Sequence, residues 1–172
     1  MKILVAVENY KYAKAQVDFI ANHKWPQELT FHVFHAAEPV IEEVFDDKGE
    51  HLFNRLADWR KEQGIRLVNN VASDLRSFFP EAVILETVEC DYAKEAILDL
   101  ADQWQADLII VGAHGRSMKL RAALGSVSNT ILTHANCSVM VVRPPRVSSD
   151  GFNPVPEEET VSRANHGVSQ AQ

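Results

Sequence analysis

Five short apolar runs rich in β-branched residues, each separated from the next by a stretch with helical spacing, leave this chain few folds to adopt. The runs cover residues 3–7, 29–36, 82–88, 107–111 and 139–142, and each reads as a strand. Between the first two, Ala13, Val17, Ile20 and Ala21 form a helical stripe that starts near Tyr10 and stops before Pro26. Leu52, Leu56 and Trp59, then Ile65, Val68, Ala72, Leu75 and Phe79, mark one long helix ending at Pro80, with a bend expected at Gly64. Asp91 is the expected N-cap of a third helix, with apolar face Ala93, Ile97, Leu100, Ala101 and Trp104. Ser126 opens a fourth, which carries Val127, Ile131 and Ala135. Strands alternating with helices require parallel pairing through right-handed crossovers, so helices must cover both sheet faces. The run at 107–111 fits this, because it lacks the polar alternation of a strand with one wet face. The expected fold is α/β, a doubly wound five-stranded parallel sheet.

The chain has 172 residues, enough for one domain and a modest appendage. After Pro144-Pro145 the composition shifts to Ser, Pro, Glu, Asn and Gln without apolar period. Residues 1–145 are therefore read as the domain and 146–172 as a disordered tail. No internal repeat is visible. A formal net charge of -7 repels nucleic acid and anionic lipid, though it leaves room for a local pocket that takes one small anion. No run approaches the roughly 18 apolar residues of a membrane span, and the first run is too short for a signal peptide. A cytoplasmic location is expected. Cys90 and Cys137 have neither metal-ligand nor disulfide spacing and are expected in the core.

In open α/β sheets ligands bind beyond the carboxyl ends of the strands, where the strand order reverses. The loop after the fourth strand is the richest in chemistry: Gly112-Ala113-His114-Gly115-Arg116, then Gly125-Ser126-Val127-Ser128. Gly112 and Gly115 lack a β-carbon, so the backbone there can approach a ligand closely and adopt positive φ. The second group lies at a helix start, where free N–H groups and the positive dipole end favour an anion. Ser126 and Ser128 add hydroxyls, and Arg116 adds charge. Spacing alone leaves two readings open, a polyphosphate cradle and a set of turn-forming glycines before a serine cap.

The run from Ala106 through Arg116, continued by Leu124-Gly125-Ser126-Val127-Ser128 and by residues 134–142, resembles the universal stress protein family. The family's nucleotide signature is Gly, two residues, Gly, nine residues, Gly, then Ser or Thr, and this chain matches it throughout; Lys2-Ile3-Leu4-Val5-Ala6-Val7 is similar too. The resemblance covers about residues 1–143. It implies strand order 3-2-1-4-5, ATP (or AMP or ADP, with Mg²⁺ as an accompaniment) as ligand, and a homodimer joined through the last strand. By position it implies that Ala6, Val7 and Glu8 line the adenosine side with Val33 beside the adenine. Gly112 and Gly115 would lie near ribose and phosphates, and Arg116, Gly125, Ser126, Val127 and Ser128 would hold the phosphates. The family usually has Asp where this chain has Glu8, followed by small residues in place of Asn9-Tyr10.

His114 invites a catalytic reading, but no nucleophile with a matching acid stands near it in sequence, and a structural loop histidine is the plainer account. Glu42, Glu43, Asp46 and Asp47 read as solvated loop charges, able to hold Mg²⁺ only if that loop folds over phosphates. No Walker lysine motif and no Gly-x-Gly-x-x-Gly follow the first strand. The expected function is adenine-nucleotide binding in a regulatory or stress role. Slow ATP hydrolysis or phosphoryl transfer, and a nucleotide-free interaction module, are the alternatives.

Overall fold

The computed structural model describes residues 1–39, 50–113 and 124–144. Nine elements follow in order: β1 (Lys2–Ala6), α1 (Tyr10–Ala21), β2 (Thr30–Ala36), α2 (Glu50–Phe78), β3 (Val83–Glu89), α3 (Ala93–Trp104), β4 (Leu108–Gly112), α4 (Ser126–His134) and β5 (Ser138–Val142). The strands form one sheet of order β3-β2-β1-β4-β5, all parallel. In the centre, Leu4 of β1 is in register with His32 of β2 and with Ile109 of β4.

Because side chains alternate along a strand, each central strand feeds two cores. Ile3, Val5 and Val7 join Phe31 and Val33 against α1 and α2, where Val17, Ile20, Val71 and Leu75 cover them. Leu4, Ala6 and Phe34 face the other way, against Ala96, Ile97 and Ala101 of α3 and Ile131 of α4. This explains the unbroken apolar run of β4, whose Leu108 to Val111 are all buried.

One local expectation holds and two change. First, α2 is the single long helix expected, continuous through Gly64. A β-carbon there would lie 2.6 Å from Cδ2 of His35 and 2.9 Å from Cγ1 of Val88, so glycine lets the helix lie close against the sheet. His35 and Val88 are next to last in β2 and β3, so the fourteen residues of α2 before Gly64 extend past the sheet's carboxyl edge. Second, the N-cap of α3 is Tyr92, not Asp91. The Asp91 carboxylate accepts from the adjacent Tyr92 amide at 2.6 Å and so is one residue too early to cap the helix. Third, Cys90 is exposed and Cys137 only partly buried, because Cys90 lies just past the end of the edge strand β3.

The other edge strand is β5. Val142 O accepts from Ala113 N at 2.8 Å, so Val142 turns its backbone groups toward β4. By the alternation of a parallel ladder, Val139 and Val141 turn theirs toward the open side. His114, Gly115, Arg116, the acidic residues of 42–47 and the 146–172 segment lie outside the described residues.

Candidate functional site

The strand order sets β1 beside β4, while the following helices leave on opposite faces: α1 joins one core and α4 the other. A crevice opens between the two strand ends. It holds a cavity of about 270 Å³. Ala6, Val7 and Glu8 line one side; Gly112, Gly125, Ser126, Val127 and Ser128 line the other. The structure thus brings these predicted residues together around one space.

The polar end is the start of α4. Gly125 is its N-cap, with φ -65° and ψ 160°, and no side chain caps the helix. The first helical bond runs from Asn129 N to Gly125 O at 2.9 Å, so the amides of Ser126, Val127 and Ser128 precede the intrahelical ladder. Gly125 N is itself fixed on Ala113 O at 2.8 Å, which ties the helix start to the end of β4. Ser128 reinforces this tie, since its buried hydroxyl lies 3.1 Å from Ala113 O and 3.0 Å from Gly125 O. Its one proton is spent on the backbone. The hydroxyl that remains outward is that of Ser126, which is exposed.

Two expectations are corrected. No described glycine has positive φ: Gly112 is the last residue of β4, in register with Val142, and needs no left-handed turn. Val33 does not line the cavity. It has no exposed surface, pairs with Val5 in mid-sheet and lies three residues short of the end of β2, inside the core toward α1 and α2. The β2 residue that reaches the cavity is Ala36, at the strand's end.

The structure adds residues that the sequence reading passed over. Ile97 and Ala93 of α3, with Val111 and Ala36, supply apolar wall; Tyr12 and Gln16 come from α1. Gln16 is 2% exposed, and its Nε2 donates to Ala6 O at 3.0 Å and to Ile110 O at 3.3 Å. The signal was present: Gln16 lies three residues after Ala13 and next to Val17, a polar residue on a buried stripe.

The turn from β1 into the site is held from below. Val7 N donates to Phe34 O at 2.9 Å, and Nδ1 of His35 donates to Val7 O at 2.8 Å. A carbonyl only accepts, so that imidazole nitrogen carries the proton. A second cavity, about 610 Å³, opens between these strand ends and α2. It shares Glu8, Ala36 and Ala93 with the first and is walled by Trp59, Arg60 and Gln63. Arg60 Nη1 donates to Glu38 O at 2.9 Å and holds the exit of β2. Tyr10, at its rim, donates to Asp74 Oδ2 at 3.0 Å; this bond to a carboxylate, with the carboxylate's charge, raises the phenol's pKa.

The profile of the universal stress protein family matches residues 1–143. Universal stress protein A homolog 2 of Coxiella burnetii is 38% identical over 86 residues, which is 50% of this chain and 56% of that protein. The match thus spans little more than half of that relative. Among solved structures, universal stress protein UspA from Lactobacillus plantarum has a TM-score of 0.65 at 22% identity, covering 83% of this chain and 97% of that one. The universal stress protein from Archaeoglobus fulgidus, solved in complex with dAMP, has a TM-score of 0.55 at 21% identity, covering 83% and 97%. These structures share the fold.

Proposed function

Since this chain belongs to the universal stress protein family, we propose that it binds an adenine nucleotide, ATP foremost, in the crevice between β1 and β4 and acts as a stress-response regulator. One observation carries the reading: the uncapped N-terminus of α4 opens on the same cavity as the apolar ends of β1, β2 and β4. An apolar wall beside a row of free amides suits a nucleoside joined to phosphate. The related Archaeoglobus protein has been solved with dAMP, which supports the same choice.

In this reading the amides of Ser126, Val127 and Ser128, with the Ser126 hydroxyl, take phosphate oxygens. Ala36, Ile97 and Val111 pack on the nucleoside, and Glu8 receives polar groups at the mouth. Gly115 and Arg116 belong to the phosphate side by position. Among the described residues no group of three or more His, Cys, Asp or Glu is placed to hold a metal. Mg²⁺ would therefore ride on the phosphates and water. Glu8 is the one carboxylate among the described lining residues, and no serine or cysteine there is paired with a histidine. A binder fits that lining better than a phosphoryl-transfer enzyme.

The open edge of β5 belongs to the same proposal. Two copies pairing this strand antiparallel about a two-fold axis close both edges.

The test is direct. Purified protein is denatured and the released small molecules are identified by mass spectrometry, alongside calorimetric titration with ATP, ADP and AMP. An adenine nucleotide that copurifies or binds at micromolar concentration is expected. Absence of both release and binding overturns the reading.

A further inference from the structure

Gln16 is a buried amide in a position where its neighbours on the helix are apolar. Ala13, Val17 and Ile20 of the same stripe are at most 2% exposed, and Gln16 is equally covered. A buried amide is costly unless its hydrogen bonds are made. Half of this one's capacity is met. Nε2 has two protons and donates to Ala6 O and to Ile110 O. Ala6 ends β1, and Ile110 belongs to β4, so the amide bridges the two strands whose separation opens the crevice.

The other half is not met within the protein. Among the described residues Oε1 of Gln16 accepts no hydrogen bond, yet it is not among the side-chain atoms sealed from solvent without a partner. The residue lines the 270 Å³ cavity, and that cavity is the space the oxygen can address. With both protons fixed on backbone carbonyls, the amide cannot flip without setting its oxygen against two other oxygens. Its polarity toward the cavity is therefore fixed: acceptor only.

We propose that Gln16 is a specificity-determining residue of this site, presenting Oε1 as a fixed acceptor that selects ligands with a hydrogen-bond donor on the α1 side of the crevice. The proposal rests on the nucleotide reading above and refines it. On an adenine nucleotide the donor is either the 6-amino group of the base or a ribose hydroxyl. A ligand lacking it leaves a desolvated amide oxygen unpaired and loses about the worth of one hydrogen bond.

The experiment titrates the full chain with ATP, inosine triphosphate, 2′-deoxy-ATP and 3′-deoxy-ATP by calorimetry. Wild type is compared with Gln16→Met and Gln16→Leu, both checked for folding by circular dichroism. Wild type is expected to bind ATP about five- to tenfold more tightly than at least one analogue, the size of a single unpaired hydrogen bond. A loss with the inosine nucleotide identifies the base amine as the donor; a loss with a deoxynucleotide identifies the ribose. In a folded variant the preference falls to about one. Equal binding of all four ligands by wild type overturns the proposal without any variant, and so does a preference that survives in the variants. Failure of wild type to bind any of the four overturns the nucleotide reading itself, and this inference with it.

Discussion

Gly64 of α2 and His35 of β2 are so close that a β-carbon on the glycine would stand 2.6 Å from Cδ2 of the imidazole. The ring cannot swing away cheaply, because its Nδ1 is bonded to Val7 O at 2.8 Å. Gly64→Ala gains up to about 1 kcal/mol in helix propensity. Against that stands an overpacking cost of about 1–3 kcal/mol. A net loss of up to about 2 kcal/mol is expected, read from urea denaturation. A variant as stable as wild type would show that α2 can lift off the sheet at no cost.

Gly125→Val tests the phosphate cradle. The backbone at Gly125, φ -65° and ψ 160°, is one that any residue adopts, so the variant should fold with little loss of stability. What it adds is bulk where phosphate must approach the amides of α4. At least a tenfold loss of ATP affinity by calorimetry is expected, and unchanged affinity would remove the phosphate role of this turn.

His32 makes stability depend on pH. Its Nε2 lies 2.8 Å from Thr87 Oγ1, its Nδ1 is buried without a partner, and the ring meets the edge of Trp104 at 5.1 Å. Burial lowers its pKa below the ordinary value of 6.5. The unfolded chain therefore takes up this proton near pH 6.5 while the folded chain still refuses it. The contribution is fully present above that pH and declines as pH falls below it. Between pH 7.5 and 5.5 the urea midpoint of wild type should drop more than that of His32→Leu. Parallel drops would remove His32 as the cause.

The fold was legible because strand and helix periods were clean; the site was less so, for reasons that individual residues make plain. The burial of β4 followed from its lack of alternation. Positional likeness sets Val33 beside the adenine, whereas depth along a strand decides which residue reaches the crevice, and Ala36 is the residue at that depth. Apolar period alone does not mark Gln16; its place on the buried stripe between Ala13 and Val17 does. Gly64 reads as a bend because helix propensity is local. Its reason is tertiary: it faces His35 and Val88, 29 and 24 residues away in sequence.

The β5 edge gives a test of assembly. Val141 turns its N–H to the open side, so Val141→Pro removes a donor from the outer edge and leaves the ladder to β4 intact. Light scattering at micromolar concentration should give a dimer mass for wild type and a monomer mass for the variant. A wild-type monomer ends the dimer proposal.

Turnover separates a binder from a catalyst. Wild type incubated with ATP and Mg²⁺ should release no phosphate beyond background over many minutes. Multiple turnovers that disappear in Gly125→Val would make the site catalytic.

The length of α2 has a mechanical corollary. Its 29 residues make a rod of about 44 Å, seated on the sheet at Gly64 and tied by Arg60 to the Glu38 carbonyl at the exit of β2. The Gly64 contact bears on His35, and His35 holds the carbonyl of Val7, the residue before Glu8. The fourteen residues before Gly64 span about 21 Å, so a tilt of about 5° about that contact would move the helix start by about 2 Å. A tilt of α2 would thus press first on the imidazole that holds the Val7 carbonyl at the mouth of the crevice.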